Sequence, residues 1–356
     1  METSFSNAIR LTVREWLCVA VFAALLFGLP AAWKRYEPFA LEPDQRMPHD
    51  LSNDYWLYQR FAELSVERYD TFLFGDSVIW GEYVIPKDTL SHYLNQLSGR
   101  ERCANLGLDG AHPLAVAGLI EHYAQSVTGK NVLLHCNPLW LTSPRTDLQD
   151  DGDEPFNHPG LVPQFVPPIT RYKKDVSHRI GILVEQRVAF SSWTGHLQQA
   201  YYGQSDIPGW TLKRPYDNPF GPLTRGLPQT DDKLRHEPIP WFQRGKRGEL
   251  EQDYPWVDLD TSLQWQAFQR AVAILQKRGN RVFVLVGPFN EHLLKPASLK
   301  RYGEIKSAIA RWLASEGIPH LVPAPLPSEQ FGDASHPLAA GYEELARLLL
   351  AKRFIN

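Results

Sequence analysis

The spacing of apolar residues changes along this chain, and the changes separate its elements before any chemistry is considered. Residues 16–33 run without a charge, with tryptophan at each end, Arg14 and Glu15 before them and Lys34 and Arg35 after. That length is close to what a membrane span needs, and terminal tryptophans suit the two interfaces. A buried core helix and a cleaved signal peptide are the alternatives, the second favoured by the small residues Ala31 and Ala32. The run is longer than a usual signal core, so residues 1–35 are expected to be an uncleaved, single-pass membrane anchor. Arg10 and Arg14 nearly balance Lys34 and Arg35. The expected orientation has the amino terminus inside and the rest of the chain extracytoplasmic, in a periplasmic setting.

Residues 36–50 are rich in proline and charge and read as a linker. Beyond them the pattern becomes regular. Ser52 or Asn53 is expected to cap a helix running to Val66, with Trp56, Leu57, Phe61 and Leu64 at helical spacing. Further helices are expected at 89–97, from Pro113 onward, and at 261–277, 299–316 and 338–352. Short apolar runs at 71–74, 102–106, 131–135, 282–286 and 320–322 read as strands. These runs are continuous rather than alternating, and strands and helices take turns. Both features predict an α/β fold with a parallel sheet covered on both faces. The regularity fails between about 144 and 256, where Pro, Trp, Tyr and Gly dominate and only 174–190 reads as a helix. An irregular insertion of that length is a lid or a structural elaboration. The chain thus divides into an anchor, a linker and a domain over 51–356 that carries the insertion.

Composition narrows the function. With 43% hydrophobic and 22% charged residues the chain is globular rather than disordered, and a net charge of −3 offers no field for nucleic acid. The 11 tryptophans and 28 prolines suit ordered, aromatic-lined loops. Cys18, Cys103 and Cys136 are too few for a disulfide framework and fit no zinc spacing. No His-Glu-x-x-His, EF-hand or phosphate-loop motif is present, so no metal or cofactor is expected.

Two short motifs bring chemistry into the picture. Gly75-Asp76-Ser77 drops a serine off the end of the 71–74 strand, which is where open α/β folds place reactive groups. Alone it reads as a surface turn. Near the other end, Asp333-Ala334-Ser335-His336-Pro337 places a carboxylate three residues before an imidazole, on one turn ahead of a helix. A serine hydroxyl is a poor nucleophile until a base removes its proton, and a carboxylate can orient that base. Asn105 to Gly110 forms a glycine-bearing turn before the Pro113 helix, where unpaired N–H groups suit a developing oxyanion. Asn137 ends the 131–135 strand. His112, His135, Glu291 and His292 also stand near strand ends, and each reads as a satisfied structural residue.

Taken together, Gly75-Asp76-Ser77 with Gly81, Asn105 to Gly110, Asn137, and Asp333-x-x-His336 resemble the four blocks of the SGNH (GDSL-type) hydrolase family. The resemblance implies a three-layer α/β sandwich with a flavodoxin-like parallel sheet. It implies Ser77 as nucleophile, His336 and Asp333 as its partners, and the Ser77 N–H, Gly110 N–H and Asn137 side chain as oxyanion donors. Two positions depart from the family pattern: His135 stands where glycine is usual, and Val78 where leucine is usual. An anchor joined to such a domain is similar to the machinery that acylates bacterial surface polymers. The implied function is serine-dependent acyl transfer, with an acyl ester donor and a glycan acceptor. Simple ester hydrolysis and a non-catalytic polysaccharide-binding scaffold are the alternatives. A flavodoxin-like order also sets Cys103 and Cys136 on opposite sides of the first strand, too far apart to bridge.

Overall fold

Continuous apolar runs become strands because a residue buried on both faces of a sheet has no polar side to present. In the computed structural model, which describes residues 11–227, 233–244 and 251–354, every such run does so. In chain order the elements are α1 (Val13–Tyr36), α2 (Tyr55–Arg68), β1 (Thr71–Phe74), the one-turn α3 (Ser77–Trp80), α4 (Leu90–Ser98), β2 (Cys103–Asn105), α5 (Pro113–Tyr123), β3 (Asn131–Cys136), α6 (Val176–Arg187), α7 (Ala189–Tyr201), α8 (Ile207–Lys213), α9 (Leu263–Lys277), β4 (Arg281–Val286), α10 (Pro296–Ser315), β5 (His320–Leu321) and α11 (Ala339–Ala351). Arg10, weighed above for orientation, and parts of the 144–256 stretch lie outside the described residues.

The strands form one all-parallel, five-stranded sheet in the order β2-β1-β3-β4-β5. Leu73 pairs with Asn105 on one side and Leu133 on the other, so β1 is central. The chain steps one way from β1 to β2 and then the other way to β3, β4 and β5. That reversal opens a crevice beyond the carboxyl ends of β1 and β3. On one face Leu73, Leu133, Phe283 and Leu285 pack with Leu90 and Leu94 of α4 and Tyr342, Leu345 and Leu349 of α11. The alternate residues Phe72, Phe74, Leu134 and Val284 are equally buried and point to the other face. There α9 lies against β3 and β4 and packs on α5, which in turn contacts α2. The expected parallel sheet with both faces covered is therefore present.

Contacts divide the chain into two units, one of Met1–Phe39 with Val184–Leu227 and one of Ala40–Leu183 with Pro228–Asn356. The first holds α1, α7 and α8; the second holds the sheet. Helix α1 opens on a capping box between Thr12 and Glu15 and is long and apolar enough to cross a membrane. Within the second unit, part of the expected linker is firmly packed. Arg46 is buried, with its guanidinium 3.8 Å from the Trp80 ring centre and Nη1 donating to the carbonyls of Trp80 at 2.9 Å and Gly81 at 2.6 Å.

Two local expectations are corrected. The cap of α2 is Asp54, whose side chain accepts from the Leu57 N–H, rather than Ser52 or Asn53. The helix expected over 174–190 is α6, which ends at Arg187, but it is not the insertion's one helix, since α7 and α8 follow it. The cysteines are free thiols; Cys103 on β2 and Cys136 on β3 are buried on either side of β1, and burial raises both thiol pKa values.

Candidate active site

Three strand ends and one late turn build the site. After β1 the chain narrows at Gly75, where an added Cβ would lie 2.5 Å from Ile79 Cγ1 and 2.7 Å from His135 Cβ. Close packing, rather than an unusual φ, demands glycine here. Asp76 then caps α3 by accepting from the Val78 N–H, and Ser77 is the first residue of that helix. Gly81 ends the turn with φ +94, a value that favours glycine. The loop after β2 runs alongside, with Leu106 N–H bonded to Leu73 O at 2.9 Å and Leu108 N–H to Gly75 O at 3.1 Å. This brings Gly110 to the crevice, with φ +68 and the Asn157 amide packed over its Cα.

The Asp333 turn reaches the same place through β4. Asn290, just past that strand, donates from Nδ2 to Asp333 O at 3.1 Å and from its N–H to Ala334 O at 2.9 Å. Helix α11 secures the far side, with Tyr342 Oη donating to Val78 O at 2.6 Å. The result is a relay: His336 Nε2 lies 2.7 Å from Ser77 Oγ, and His336 Nδ1 lies 2.8 Å from each Asp333 oxygen. Asp333 also accepts from the Ser335 and His336 N–H groups and from Tyr83 Oη. Burial works against charge on both partners, but their attraction prevails, holding Asp333 well below the usual carboxylate range and raising His336 to about 9.

Beside the relay lies a second polar network, centred on Asp76. Its carboxylate accepts from Val78 N–H at 3.1 Å, His135 Nδ1 at 3.0 Å, Asn137 Nδ2 at 2.6 Å and Trp140 Nε1 at 2.8 Å. Burial raises the Asp76 pKa, but the charge of His135 and these hydrogen bonds outweigh it and bring the value down to about 2. Asn137 Oδ1 accepts from the Leu139 N–H, so the amide is oriented at both ends and one Nδ2 proton is left for another acceptor. Ser77, Asp333, His336, Gly110 and Asn137 thus all come to the carboxyl ends of β1, β2 and β3 and the turn that faces them.

The other flagged residues are satisfied in place. His112 caps α5 and donates toward Asn157 O, and burial lowers its pKa to about 3. His292 lies 3.1 Å from Leu326 O, and Glu291 pairs with Lys306. The sequence does not single out Glu82, Tyr83, Trp140 or His236. The Tyr83 ring lies tilted against both imidazoles, 5.0 Å from His236 and 5.6 Å from His336. Glu82 is buried against the Asp109 carboxylate, and burial together with that like-charged neighbour pushes its carboxyl up to about 7. Its Oε1 accepts from His236 Nε2 at 2.7 Å. Spacing alone could not find these residues, because they meet only once the loops close over the sheet.

A cleft of about 200 Å³ opens nearby, between Trp140, Phe156, Asn157, Arg145 and Arg171. Two of its walls are tied to the site, Trp140 through its bond to Asp76 and Asn157 through its packing on Gly110. Among the described residues, no group of three or more His, Cys, Asp or Glu side chains is placed to hold a metal ion. No family model matches the chain, and no curated protein matches it.

Proposed function

We propose that this chain is a serine-dependent acyl-transfer enzyme of the SGNH type, anchored to a membrane by α1 and facing outward. Its reaction is O-acyl transfer, such as acetyl transfer, to or from a cell-surface polysaccharide. The observation that carries this reading is the relay itself, a serine hydroxyl 2.7 Å from a buried imidazole whose other nitrogen is held by a half-buried carboxylate. That arrangement activates a hydroxyl that would otherwise be inert at neutral pH.

The chemistry follows from the positions. Ser77 Oγ attacks the acyl carbonyl carbon while its proton passes to His336 Nε2, and Asp333 stabilises the imidazolium through Nδ1. The carbonyl π electrons move onto oxygen, and the donors assigned to it in this reading are the Ser77 N–H, the Gly110 N–H and the second Asn137 Nδ2 proton. Each such donor is worth about 2.7–4 kcal/mol of barrier in comparable sites. Collapse expels the donor alkoxide, which takes the proton from His336 and leaves acyl-Ser77. An acceptor hydroxyl then gives its proton to His336 and attacks the acyl carbon, and collapse breaks the bond to Ser77 Oγ, which takes the proton back from His336.

Hydrolysis and transfer share the acyl-serine and differ in what reaches it. The aromatic and polar cleft beside Gly110 supports transfer, because Trp140 and Phe156 offer flat faces to a sugar ring and Asn157 and Arg145 offer donors to its hydroxyls. The test incubates the full chain with an activated acetyl ester, with and without oligosaccharides, and follows free acid and acylated sugar together. Transfer predicts acylated sugar that grows as free acid falls, both lost in Ser77→Ala. Free acid alone, unaltered by any acceptor, makes the protein an esterase; turnover surviving in Ser77→Ala removes the reading altogether.

A further inference from the structure

The amino-terminal unit makes a separate case, independent of the chemistry at Ser77. Helix α1 presents Phe27, Pro30, Trp33 and, at its carboxyl cap, Glu37 at intervals of three and four residues, which places them along one face. Helix α7 covers that face. Phe190 meets Phe27 edge-on at 6.2 Å, Trp33 lies 6.0 Å from Trp193 and 5.8 Å from Tyr201, and Phe190 packs on Trp193 at 5.7 Å. At the end of the pairing, buried Glu37 accepts from Trp33 Nε1 at 3.0 Å, His196 Nε2 at 2.8 Å and Tyr201 Oη at 2.5 Å. Burial would raise the Glu37 pKa, but His196 and these donors hold it below the usual value. The two helices therefore run parallel, with the start of α7 level with Phe27 and its end level with Glu37.

Lengths turn this pairing into a statement about lipid. The uncharged run from Trp16 to Trp33 rises about 27 Å as a helix, barely the ~30 Å hydrocarbon thickness of a bilayer. All of it is needed to cross. Yet its last seven residues, about 10 Å of rise, are the ones flanked by α7. We infer that α1 is a permanent anchor rather than a cleaved signal, and that the α6–α7 elbow around residues 184–193 enters the phospholipid bilayer beside it. The depth, about 10 Å below Lys34, is that to which interfacial helices sink. Val184, 43% exposed, and Ala189 present apolar groups at the elbow, Arg187 can reach back toward lipid phosphates, and half-buried Glu185 turns its carboxylate onto Gly195 of α7. Cleavage after Ala32 would take Phe27 from Phe190 and leave Trp33 and Glu37 on a cut end of α1.

The experiment uses the full chain in phosphatidylcholine–phosphatidylglycerol vesicles. Cys18→Ser removes the exposed native thiol, while Cys103 and Cys136 are buried. Ala189→Cys and, in a second protein, Val184→Cys then carry an environment-sensitive fluorophore, with Lys300→Cys on α10 as the reference. Lipids bearing nitroxides on their acyl chains should quench the labels at 189 and 184 several-fold more than the label at 300, and intact mass of the membrane-isolated protein should retain α1. Equal quenching at all three sites overturns the inference. So does a label shielded from water yet untouched by lipid nitroxides, which would mark a protein partner on that face. A mature chain that begins after Ala32 overturns it as well.

Discussion

His135 stands between two acceptors, with Nδ1 3.0 Å from Asp76 Oδ1 and Nε2 3.0 Å from the carbonyl oxygen of Gly287. Both ring nitrogens face acceptors, and through Nδ1 the ring holds the buried Asp76 carboxylate. The residue that departs from glycine at this position thus braces Asp76 behind Ser77. His135→Ala should destabilise the fold by about 3–5 kcal/mol, the range for stranding one member of a buried pair. Urea unfolding measures it. A loss under about 1 kcal/mol, the scale of an ordinary hydrogen bond, would mean that the contact is dispensable.

Two glycines should fail in different ways. Gly75→Ala pushes a methyl into Ile79 and His135, at 2.5 and 2.7 Å, and overpacking of that kind costs about 1–3 kcal/mol. Gly110→Ala meets the Asn157 amide at 2.4 Å and requires a side chain at φ +68. Asn157 is exposed and can swing aside. Gly75→Ala should therefore lower the unfolding midpoint, whereas Gly110→Ala should lower kcat by more than its loss of stability explains. Equal effects in both assays would detach Gly110 from the oxyanion position.

The pH profile carries its own sign. His336 must be unprotonated to accept from Ser77, and Asp333 raises its pKa to about 9, so kcat/KM in the free enzyme should climb through neutral pH and level off above about 9. Asp333→Asn removes the attraction, so the rising limb should move to lower pH while the plateau drops. Stability runs the opposite way: a raised imidazole pKa contributes fully below the ordinary value of about 6.5 and is lost as pH rises through about 9. A limb that stays put in Asp333→Asn would contradict the pairing.

Ser77→Ala and His336→Ala should each abolish ester turnover, Ser77→Ala with little change in unfolding midpoint and His336→Ala with a loss of stability that shrinks as pH rises through about 9. Because the two act as a unit, the double variant should be hardly worse than either single one. Additive losses would mean that they do not work on the same proton.

Strand positions were legible because an apolar run buried on both faces writes its environment directly into the sequence; Val282 to Val286 is an example. The relay was legible for a related reason: Asp333 and His336 share one turn, so their spacing alone sets their contact. The Asp76 network was not, since His135, Asn137 and Trp140 converge on it only through the β1–β3 register. Helix α7 was hidden too. Its apolar residues face α1, more than 150 positions earlier in the chain, and its Val188 N-cap makes no side-chain capping bond to mark the break from α6. Asp54 shows the finer limit, for Ser52, Asn53 and Asp54 are all good caps and only the backbone geometry selects one.

The central claim is that Ser77 is a hydroxyl made nucleophilic by His336. A fluorophosphonate probe tests it most directly, because it phosphonylates such a serine and leaves ordinary serines alone. The full chain is treated in its folded state, digested and mapped by mass spectrometry. The account predicts one adduct, on the peptide carrying Ser77, absent in Ser77→Ala and nearly absent in His336→Ala. A folded protein that takes no label, or takes it equally in His336→Ala, would contradict it.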